Sequence, residues 1–168
     1  EVRCGAPAFA WFAEDEGGLL AVDLGGALLR VKARRYLYAT GGYDVNALFT
    51  DNDRPGICAA RAVGTLLLKH GVVPAKRPLV LGHGEYADAL AGALEKSGVP
   101  VERVDNRVQK PIASRGSSWV SGLEVEMAGA RRKLACDLVA VVEPPAPASE
   151  LPRMHGAEVD FSLEGGGF

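Results

Sequence analysis

The feature that most constrains the fold is the segment of residues 78–98, in which an apolar run is followed by two closely spaced glycines and a helical pattern. Residues 79–81 are uninterruptedly apolar, as in a parallel strand that is buried on both faces. Gly82 and Gly84 then interrupt this run. From Ala87 onward, apolar residues recur at helical spacing until a terminal glycine. The segment therefore predicts a strand, a tight glycine turn and a helix, which is the first half of a βαβ unit.

The spacing of the small residues in this turn, G-x-G-x-x-A, is typical of dinucleotide binding. In such a turn, Gly82 permits the tight bend, and Gly84 lets a pyrophosphate approach the backbone. Ala87 takes the third position, where a small side chain allows the helix to pack closely on the strand. Unpaired N–H groups at the start of the helix attract an anion. Together with His83 and Glu85 between them, these residues form the candidate cofactor-binding turn.

A second predicted strand, residues 99–104, ends at Asp105, near the distance of about 20 residues at which such units place a ribose-binding acid. This context predicts an α/β domain of the Rossmann type, with a parallel sheet, flanking helices and an NAD-like site. Asp105 favours NAD, because its carboxylate accepts bonds from a ribose 2′-hydroxyl and repels a 2′-phosphate. Arg107 is able to turn toward that phosphate, which keeps NADP as an alternative. Glu85 places a carboxylate where the pyrophosphate would arrive, and like charges repel. A turn that binds no nucleotide and is kept only for packing is therefore a second hypothesis.

The composition argues against several other classes of protein. Hydrophobic residues make up 48% of the chain, and the net charge of −2 comes without a basic run interleaved with aromatics, so no nucleic-acid partner is predicted. No apolar stretch reaches the roughly 18 residues of a membrane span, and no signal-peptide pattern is present, so a cytoplasmic protein without a membrane partner is predicted. The three cysteines and three histidines show no disulfide, redox or metal-ligand spacing. No metal site and no catalytic residue are predicted.

The remainder of the chain predicts an antiparallel meander followed by mixed elements. Residues 1–39 alternate β-prone runs with paired glycines, which predicts three or four antiparallel strands, the last at residues 36–39. Residues 57–70 predict a helix with an apolar face made of Ala59, Ala62, Val63, Leu66 and Leu67. The further expected elements are a polar loop at 106–118, strands at 119–127 and 132–134 joined by a turn at Gly129-Ala130, and a strand at 135–142.

Three short motifs carry a resemblance to a known family. The motif A-T-G at residues 39–41 closes the predicted meander, D-N-D-R-P-G-I occupies residues 51–57, and C-D at residues 136–137 opens the last predicted strand. Their order around the G-x-G-x-x-A unit resembles the flavoproteins that carry two dinucleotide-binding domains, the FAD-dependent pyridine nucleotide-disulfide oxidoreductase superfamily. The D-N-D-R-P-G-I string is similar to the group around the α subunit of heterotetrameric sarcosine oxidase, which includes related amine and opine or cyanide-forming dehydrogenases.

The resemblance implies an internal segment of a larger flavoenzyme. It places a partial FAD-domain segment at residues 1–52, a nested NAD(P)-binding-like domain at 53–145, and a return linker toward the remaining FAD domain at 146–168. Thr40 and Gly41 would lie near the flavin nucleotide of the parent enzyme. FAD is accordingly expected in the parent and not in this chain alone.

The activity implied for the parent is the oxidation of a small amine or amino acid through FAD. The implied partners are a dinucleotide cofactor, the remaining FAD domain and other subunits, and the chain alone is expected to be inactive. Residues 143–147, Glu-Pro-Pro-Ala-Pro, depart from the glycine-rich turn that the family usually has there. This departure and Glu85 favour a second hypothesis, a non-catalytic structural or subunit-docking module with a vestigial Rossmann turn. A third hypothesis, a nucleotide-sugar or SAM-binding domain, does not account for the motifs at residues 39–41 and 51–57.

Overall fold

The computed structural model describes residues 2–14 and 18–162 of the chain. It has two compact units, one formed by Asp44–Pro144 and the other by the two flanking segments, Glu1–Tyr43 and Pro145–Phe168. Residues 163–168, the end of the predicted return linker, lie outside the described residues. In the part of the chain that is described, no helix is long and apolar enough to cross a membrane.

The described elements are twelve strands and three helices. In chain order they are β1 (Ala8–Phe12), β2 (Leu19–Asp23), β3 (Leu28–Val31), β4 (Gly42–Tyr43), β5 (Ile57–Ala59), α1 (Ala60–His70), β6 (Pro78–Leu81), α2 (Glu85–Lys96), β7 (Glu102–Val104), β8 (Lys110–Gly116), β9 (Val120–Met127), β10 (Ala130–Ala135), β11 (Leu138–Val141), β12 (Ala146–Pro147) and α3 (Glu150–Met154).

The flanking-segment unit contains the predicted antiparallel meander, with strands in the order β1-β2-β3. Gly18 lies just before β2, where a Cβ would lie 1.5 Å from the indole ring of Trp11, so only glycine lets that ring lie against the chain. His155, which follows α3, stacks on Trp11 with ring centroids 3.7 Å apart, and its Nδ1 lies 2.9 Å from the hydroxyl of Tyr38. These contacts fasten α3 to the meander.

The strand predicted at residues 36–39 is wrong. The hydroxyl of Tyr36 accepts a hydrogen bond from the backbone N–H of Ala33 at 2.8 Å and donates one to the carbonyl of Val31 at 3.1 Å. A side chain therefore satisfies backbone groups that a strand ladder would otherwise pair. The strand comes later, as β4, which pairs antiparallel with β12.

The core of the Asp44–Pro144 unit is a parallel sheet with strand order β5-β11-β6-β7. Every residue of the two inner strands, β6 and β11, is buried, which explains their uninterrupted apolar sequences. The predicted class, an α/β Rossmann-like domain with an attached antiparallel meander, is confirmed.

Two helices cover one face of the parallel sheet. The predicted strand, turn and helix of residues 78–98 are present as β6 and α2, and the chain leaves α2 through Gly98 at φ 85°. The helix predicted from residue 57 begins at Ala60 instead, because the three preceding residues form β5 beside β11. The buried face of α1 also differs from the predicted one, since Ala62 and Leu66 are exposed. The buried residues of α1 are Ala60, Val63, Gly64 and Leu67.

A second antiparallel sheet, in the order β8-β9-β10, covers the opposite face of the parallel sheet. The polar loop predicted at residues 106–118 is wrong, since β8 occupies most of it. Only Ser114 of this strand is buried, and the other residues are partly buried or exposed, which accounts for its polar sequence. The turn between β9 and β10 consists of Ala128 and Gly129, with φ of 51° and 79°, rather than the predicted Gly129 and Ala130.

The parallel sheet therefore lies between the two helices and the second antiparallel sheet. Val80 of β6 faces the helices, whereas Leu79 and Leu81 face the second sheet. The carboxyl ends of all four parallel strands and the first turns of α1 and α2 meet at one edge, which is where open α/β sheets bind ligands.

Candidate functional site

The glycine turn between β6 and α2 has the backbone that the motif requires. Gly82 has φ 134° and Gly84 has φ 89°, both in the region that side chains disfavour. A Cβ at Gly82 would lie 2.3 Å from the carbonyl oxygen of Val142 at the end of β11, so this position is closed to any other residue. A Cβ at Gly84 would meet nothing within 4 Å. The backbone at Gly84 is thus both open and free to receive a ligand.

The start of α2 presents amides on the open side of the turn. Gly84 is the N-cap, and the N–H groups of the first helical turn have no acceptor within the helix. Glu85 and Asp88 lie in this first turn, and both are exposed. Ala87 is only 5% exposed and packs in the core between helix and sheet, as a small residue at the third motif position should.

A hydrogen-bonded chain of three side chains links the turn to two neighbouring strands. Nδ1 of His83 lies 2.7 Å from Oδ1 of Asn106, and Nδ2 of Asn106 donates to Oε1 of Glu143 at 3.0 Å. Asn106 follows Asp105 after β7, and Glu143 follows β11. These three hydrogen-bonded side chains therefore cross the carboxyl edge of the sheet, where open α/β sheets bind ligands.

Asp105 lies after β7, as predicted, and it is clamped by Arg107. Its carboxylate accepts three hydrogen bonds from that residue, from the backbone N–H and Nε at 3.0 Å each and from Nη2 at 2.7 Å. The bonds from the Arg107 side chain are the main reason that the pKa of Asp105 falls to about 2. Asp105 is ionised at any pH near neutrality, and the guanidinium of Arg107 is directed to Asp105.

A second pair of charges lies at the start of α1. Nε of Arg61 donates to Oδ1 of Asp44 at 2.5 Å. Tyr86, in the first turn of α2, lies within electrostatic reach of both, and burial raises the pKa of its hydroxyl. A Cβ at Gly64 of α1 would lie 2.9 Å from that hydroxyl, so the glycine makes room for the tyrosine.

Sequence reasoning missed Asn106, Arg61 and Tyr86 as residues of this edge. The signal that was available is topological: residues that follow parallel strands, or that open the next helix, gather at one edge of the sheet. Glu143 belongs to the segment that departs from the family's glycine-rich turn. Its partner Asn106 lies in the stretch for which the sequence predicts a loop.

The D-N-D-R-P-G-I string has a structural role in this fold. Arg54 donates to the Ser114 hydroxyl, to the Ser117 carbonyl and to the Asp51 carboxylate, at 2.7 to 2.9 Å. Gly56 has φ 93°, and a Cβ there would lie 2.6 Å from the indole nitrogen of Trp119. The string therefore fastens the entry to β5 onto the second sheet.

The other predicted cofactor residues, Thr40 and Gly41, belong to the flanking-segment unit. The hydroxyl of Thr40 donates to the carbonyl of Ala148 at 2.6 Å, and the N–H of Ala148 donates to the carbonyl of Gly41 at 2.9 Å. These bonds join the two flanking segments just outside β4 and β12. Proximity of Thr40 and Gly41 to a flavin in a parent enzyme stays a prediction.

Cys58 and Cys136 have no activating environment. Burial raises the pKa of Cys58, and it raises that of Cys136 to about 11, so neither forms a thiolate near neutral pH. Within residues 2–14 and 18–162, no group of three histidine, cysteine or acidic side chains is arranged to hold a metal ion.

Comparison with known proteins shows which solved structures share this fold. No family model matches the sequence. L-Proline dehydrogenase from P. horikoshii superposes on 94% of the chain, and on 31% of its own, with a TM-score of 0.73 and 23% identity. The match to thioredoxin reductase from T. acidophilum covers 97% of this chain and 59% of the reductase, with a TM-score of 0.64 and 13% identity. The match to an FAD-dependent pyridine nucleotide-disulphide oxidoreductase from Desulfovibrio vulgaris covers 92% of this chain and 47% of that protein, with a TM-score of 0.60 and 16% identity.

The chain therefore shares its fold with these three solved structures, one of which is an FAD-dependent pyridine nucleotide-disulphide oxidoreductase. In sequence, the chain resembles the α subunit of sarcosine oxidase: the protein from Rhizobium meliloti (strain 1021) is 29% identical over 157 residues, which cover 84% of this chain. The resemblance predicted from the motifs at residues 39–41 and 51–57 is thereby confirmed. The chain spans 16% of the length of that curated relative.

Proposed function

We propose that this chain supplies the dinucleotide-binding part of an FAD-dependent oxidoreductase. The observation that carries the proposal is the turn at Gly82 and Gly84, with its two positive φ angles and its open backbone at the carboxyl edge of a parallel sheet. The pyrophosphate of NAD would lie against the N–H groups at the start of α2. Asp105, ionised and one strand away, would accept hydrogen bonds from ribose hydroxyls.

The parent enzyme is proposed to oxidise a small amine or amino acid with FAD as its redox cofactor. Support comes from the names of two relatives, since sarcosine and L-proline are both small secondary amino acids. When bound, a nicotinamide or flavin ring carries the hydride or electrons, and this chain's residues contribute binding and orientation. Thr40 and Gly41 are proposed to lie near the flavin nucleotide, with the remaining FAD domain and other subunits as partners.

The expected cofactor is NAD rather than NADP. Asp105 carries a full negative charge, which repels a 2′-phosphate. Arg107 is held to Asp105 by two side-chain hydrogen bonds, so its charge is already matched. Release of that guanidinium toward a 2′-phosphate would leave the carboxylate facing the same phosphate.

Calorimetric titration of the purified chain with NAD and NADP tests this proposal. NAD is expected to bind more tightly than NADP. Gly82→Ala should weaken NAD binding by at least about tenfold, because the new methyl group collides with the Val142 carbonyl and the backbone is strained. Gly84→Ala, whose added methyl has free space, should weaken binding through backbone strain without disturbing the core.

The matched control is Gly92→Ala, in the middle of α2. A Cβ there would meet nothing within 4 Å, so NAD affinity should be unchanged, and the helix should gain about 0.5–1 kcal/mol. Absence of NAD binding at millimolar concentration by the unmutated chain, with intact circular dichroism, would contradict the proposal.

A second candidate function is a structural or subunit-docking module that keeps an empty turn. The specific observation in its favour is the pair of carboxylates at the turn: Glu85 in the first turn of α2, and Glu143, held toward the turn through Asn106. Both would repel a pyrophosphate. Failure of the unmutated, folded chain to bind NAD would favour this second candidate.

A further inference from the structure

The hydrogen-bond chain at the glycine turn fixes which nitrogen of His83 carries a proton. An ionised carboxylate only accepts hydrogen bonds, so the amide NH₂ of Asn106 must face Glu143. The amide oxygen of Asn106 then faces His83, and only a protonated Nδ1 makes a hydrogen bond to it. The hydrogen bonds from Glu143 through Asn106 thus hold His83 with a proton on Nδ1, whether the ring is neutral or charged.

The remaining ring nitrogen, Nε2, is the position at which His83 gains or loses its charge. His83 is exposed, and within the described residues its Nε2 makes no hydrogen bond. Imidazole is the side chain whose charge ordinarily changes between pH 5 and 8. The turn therefore carries an imidazole, bonded through Nδ1 to Asn106, in the middle of its G-x-G sequence.

The charges around the turn are otherwise negative or already matched. Two acids are paired with arginines: Asp105 with Arg107, and Asp44 with Arg61. Glu85 and Glu143 form no salt bridge among the described residues. A pyrophosphate that approaches the turn adds negative charge beside them. His83 is the one side chain of the turn itself, residues 82–84, that is able to add a positive charge.

We propose that Nε2 of His83 takes up a proton from solvent when a dinucleotide binds to the turn, and that the resulting Nε2–H donates a hydrogen bond to a phosphate oxygen. This inference rests on the proposed function, and it assigns to His83 a direct binding role and to Glu143, acting through Asn106, a positioning role. No covalent bond forms or breaks. The proton on Nδ1 stays with Asn106, and the net change is one proton bound to the protein.

The linkage has a definite sign. A ligand that binds the protonated form more tightly binds best at low pH, and its affinity falls as the pH rises through the titration of His83. Asp105 does not contribute to this change, since its pKa of about 2 keeps it ionised throughout the range of pH 5.5 to 8.5. Arg107 also keeps its charge in that range, because its hydrogen bond to Asp105 raises its pKa.

Calorimetric titration with NAD at four pH values between 5.5 and 8.5 tests the inference. The dissociation constant should rise about tenfold across this range, and the apparent binding enthalpy should vary with the ionisation enthalpy of the buffer, as proton uptake requires. His83→Gln should bind NAD more weakly at pH 5.5 and with no dependence on pH. His70→Gln, at the far end of α1, should keep the full pH dependence.

Nuclear magnetic resonance of the histidine side-chain nitrogens adds a measurement that is independent of NAD binding. The neutral ring of His83 should show a protonated Nδ1, and Asn106→Leu should abolish that preference. Inorganic pyrophosphate should shift the titration midpoint of His83 upward, and it should leave that of His70 in place.

The outcomes separate this inference from the proposed function. NAD binding that is independent of pH, or that survives unchanged in His83→Gln, overturns the inference and leaves the function standing. Absence of NAD binding together with an upward shift of His83 by pyrophosphate overturns the function and supports the anion-coupled proton. Absence of both overturns both.

Discussion

Three residues at the glycine turn separate steric requirements from electrostatic ones. Gly82 is required by space, because the end of β11 passes within contact distance of where its side chain would be. Ala87 is required by packing. Glu85 is required by neither, since it is exposed at the first position of α2 and the turn would close without it.

Replacement of Glu85 by serine is therefore expected to change binding more than folding. Loss of the carboxylate removes repulsion of the pyrophosphate, so NAD affinity should rise a few-fold. Loss of its interaction with the helix dipole should lower the free energy of unfolding by about 0.3–1 kcal/mol. Titration calorimetry and urea unfolding measure the two effects.

The control for Glu85→Ser is Glu95→Ser, near the other end of the same helix, which should leave NAD affinity unchanged. A rise of more than about a hundredfold for Glu85→Ser would contradict the exposed placement of Glu85. Such a rise would mean that its carboxylate occupies the anion site of the unmutated protein.

At the scale of elements, the turn between β9 and β10 is strained by one residue. Ala128 has φ 51°, a left-handed conformation that costs a residue with a Cβ about 1–2 kcal/mol. Together with Gly129 it forms a two-residue hairpin turn with both φ angles positive, for which Asn-Gly is the favoured sequence.

Ala128→Asn should raise the free energy of unfolding by about 0.5–1 kcal/mol, because asparagine tolerates this conformation better than alanine. Ala130→Asn, two residues on in β10, should give no gain, since strands disfavour asparagine. Guanidinium unfolding of both variants tests the pair. Equal stability of Ala128→Asn and the unmutated protein would contradict the assigned turn.

Elements with a strong period were predictable from the sequence, and short elements defined by their neighbours were not. The segment of residues 78–98 carries its own strand, turn and helix signals, and all three are present. β5 has three residues, and nothing within them distinguishes a strand from the first turn of α1. Only the presence of β11 alongside makes it a strand.

The candidate site divides in the same way. The two glycines, Ala87 and Asp105 follow from spacing along one unit, and the structure brings them to one edge. The partnership of His83 with Glu143 joins residues 60 positions apart through Asn106. No local pattern predicts it, because it depends on which strand lies next to β6.

At the scale of the whole molecule, the Asp44–Pro144 unit is complete in its packing. It contains the two hydrophobic clusters that cover the two faces of the parallel sheet. Every member of the two clusters, on either face of the parallel sheet, lies within this continuous stretch. We expect residues 44–144, expressed alone, to fold, because no cluster member is lost.

The test is a comparison of the 44–144 chain with the complete chain. The shorter chain should unfold in one cooperative thermal transition and should bind NAD with the same affinity as the complete chain. A broad, non-cooperative transition of the shorter chain would show that the flanking segments contribute to its stability.

The pairing of β4 with β12 has a consequence for how such a protein arises. The chain leaves the flanking-segment unit after Tyr43 and re-enters it at Pro145, and Tyr43 is paired with Ala146 across the small ladder. Gly42 allows this close approach, since a Cβ there would lie 2.7 Å from the Ala146 carbonyl. To the flanking unit, the whole intervening stretch is topologically a hairpin loop, and the entropy of closing a loop grows only slowly with its length. A gene that encodes the flanking unit can therefore acquire, exchange or lose an entire domain at this one junction while its own strand order stays the same.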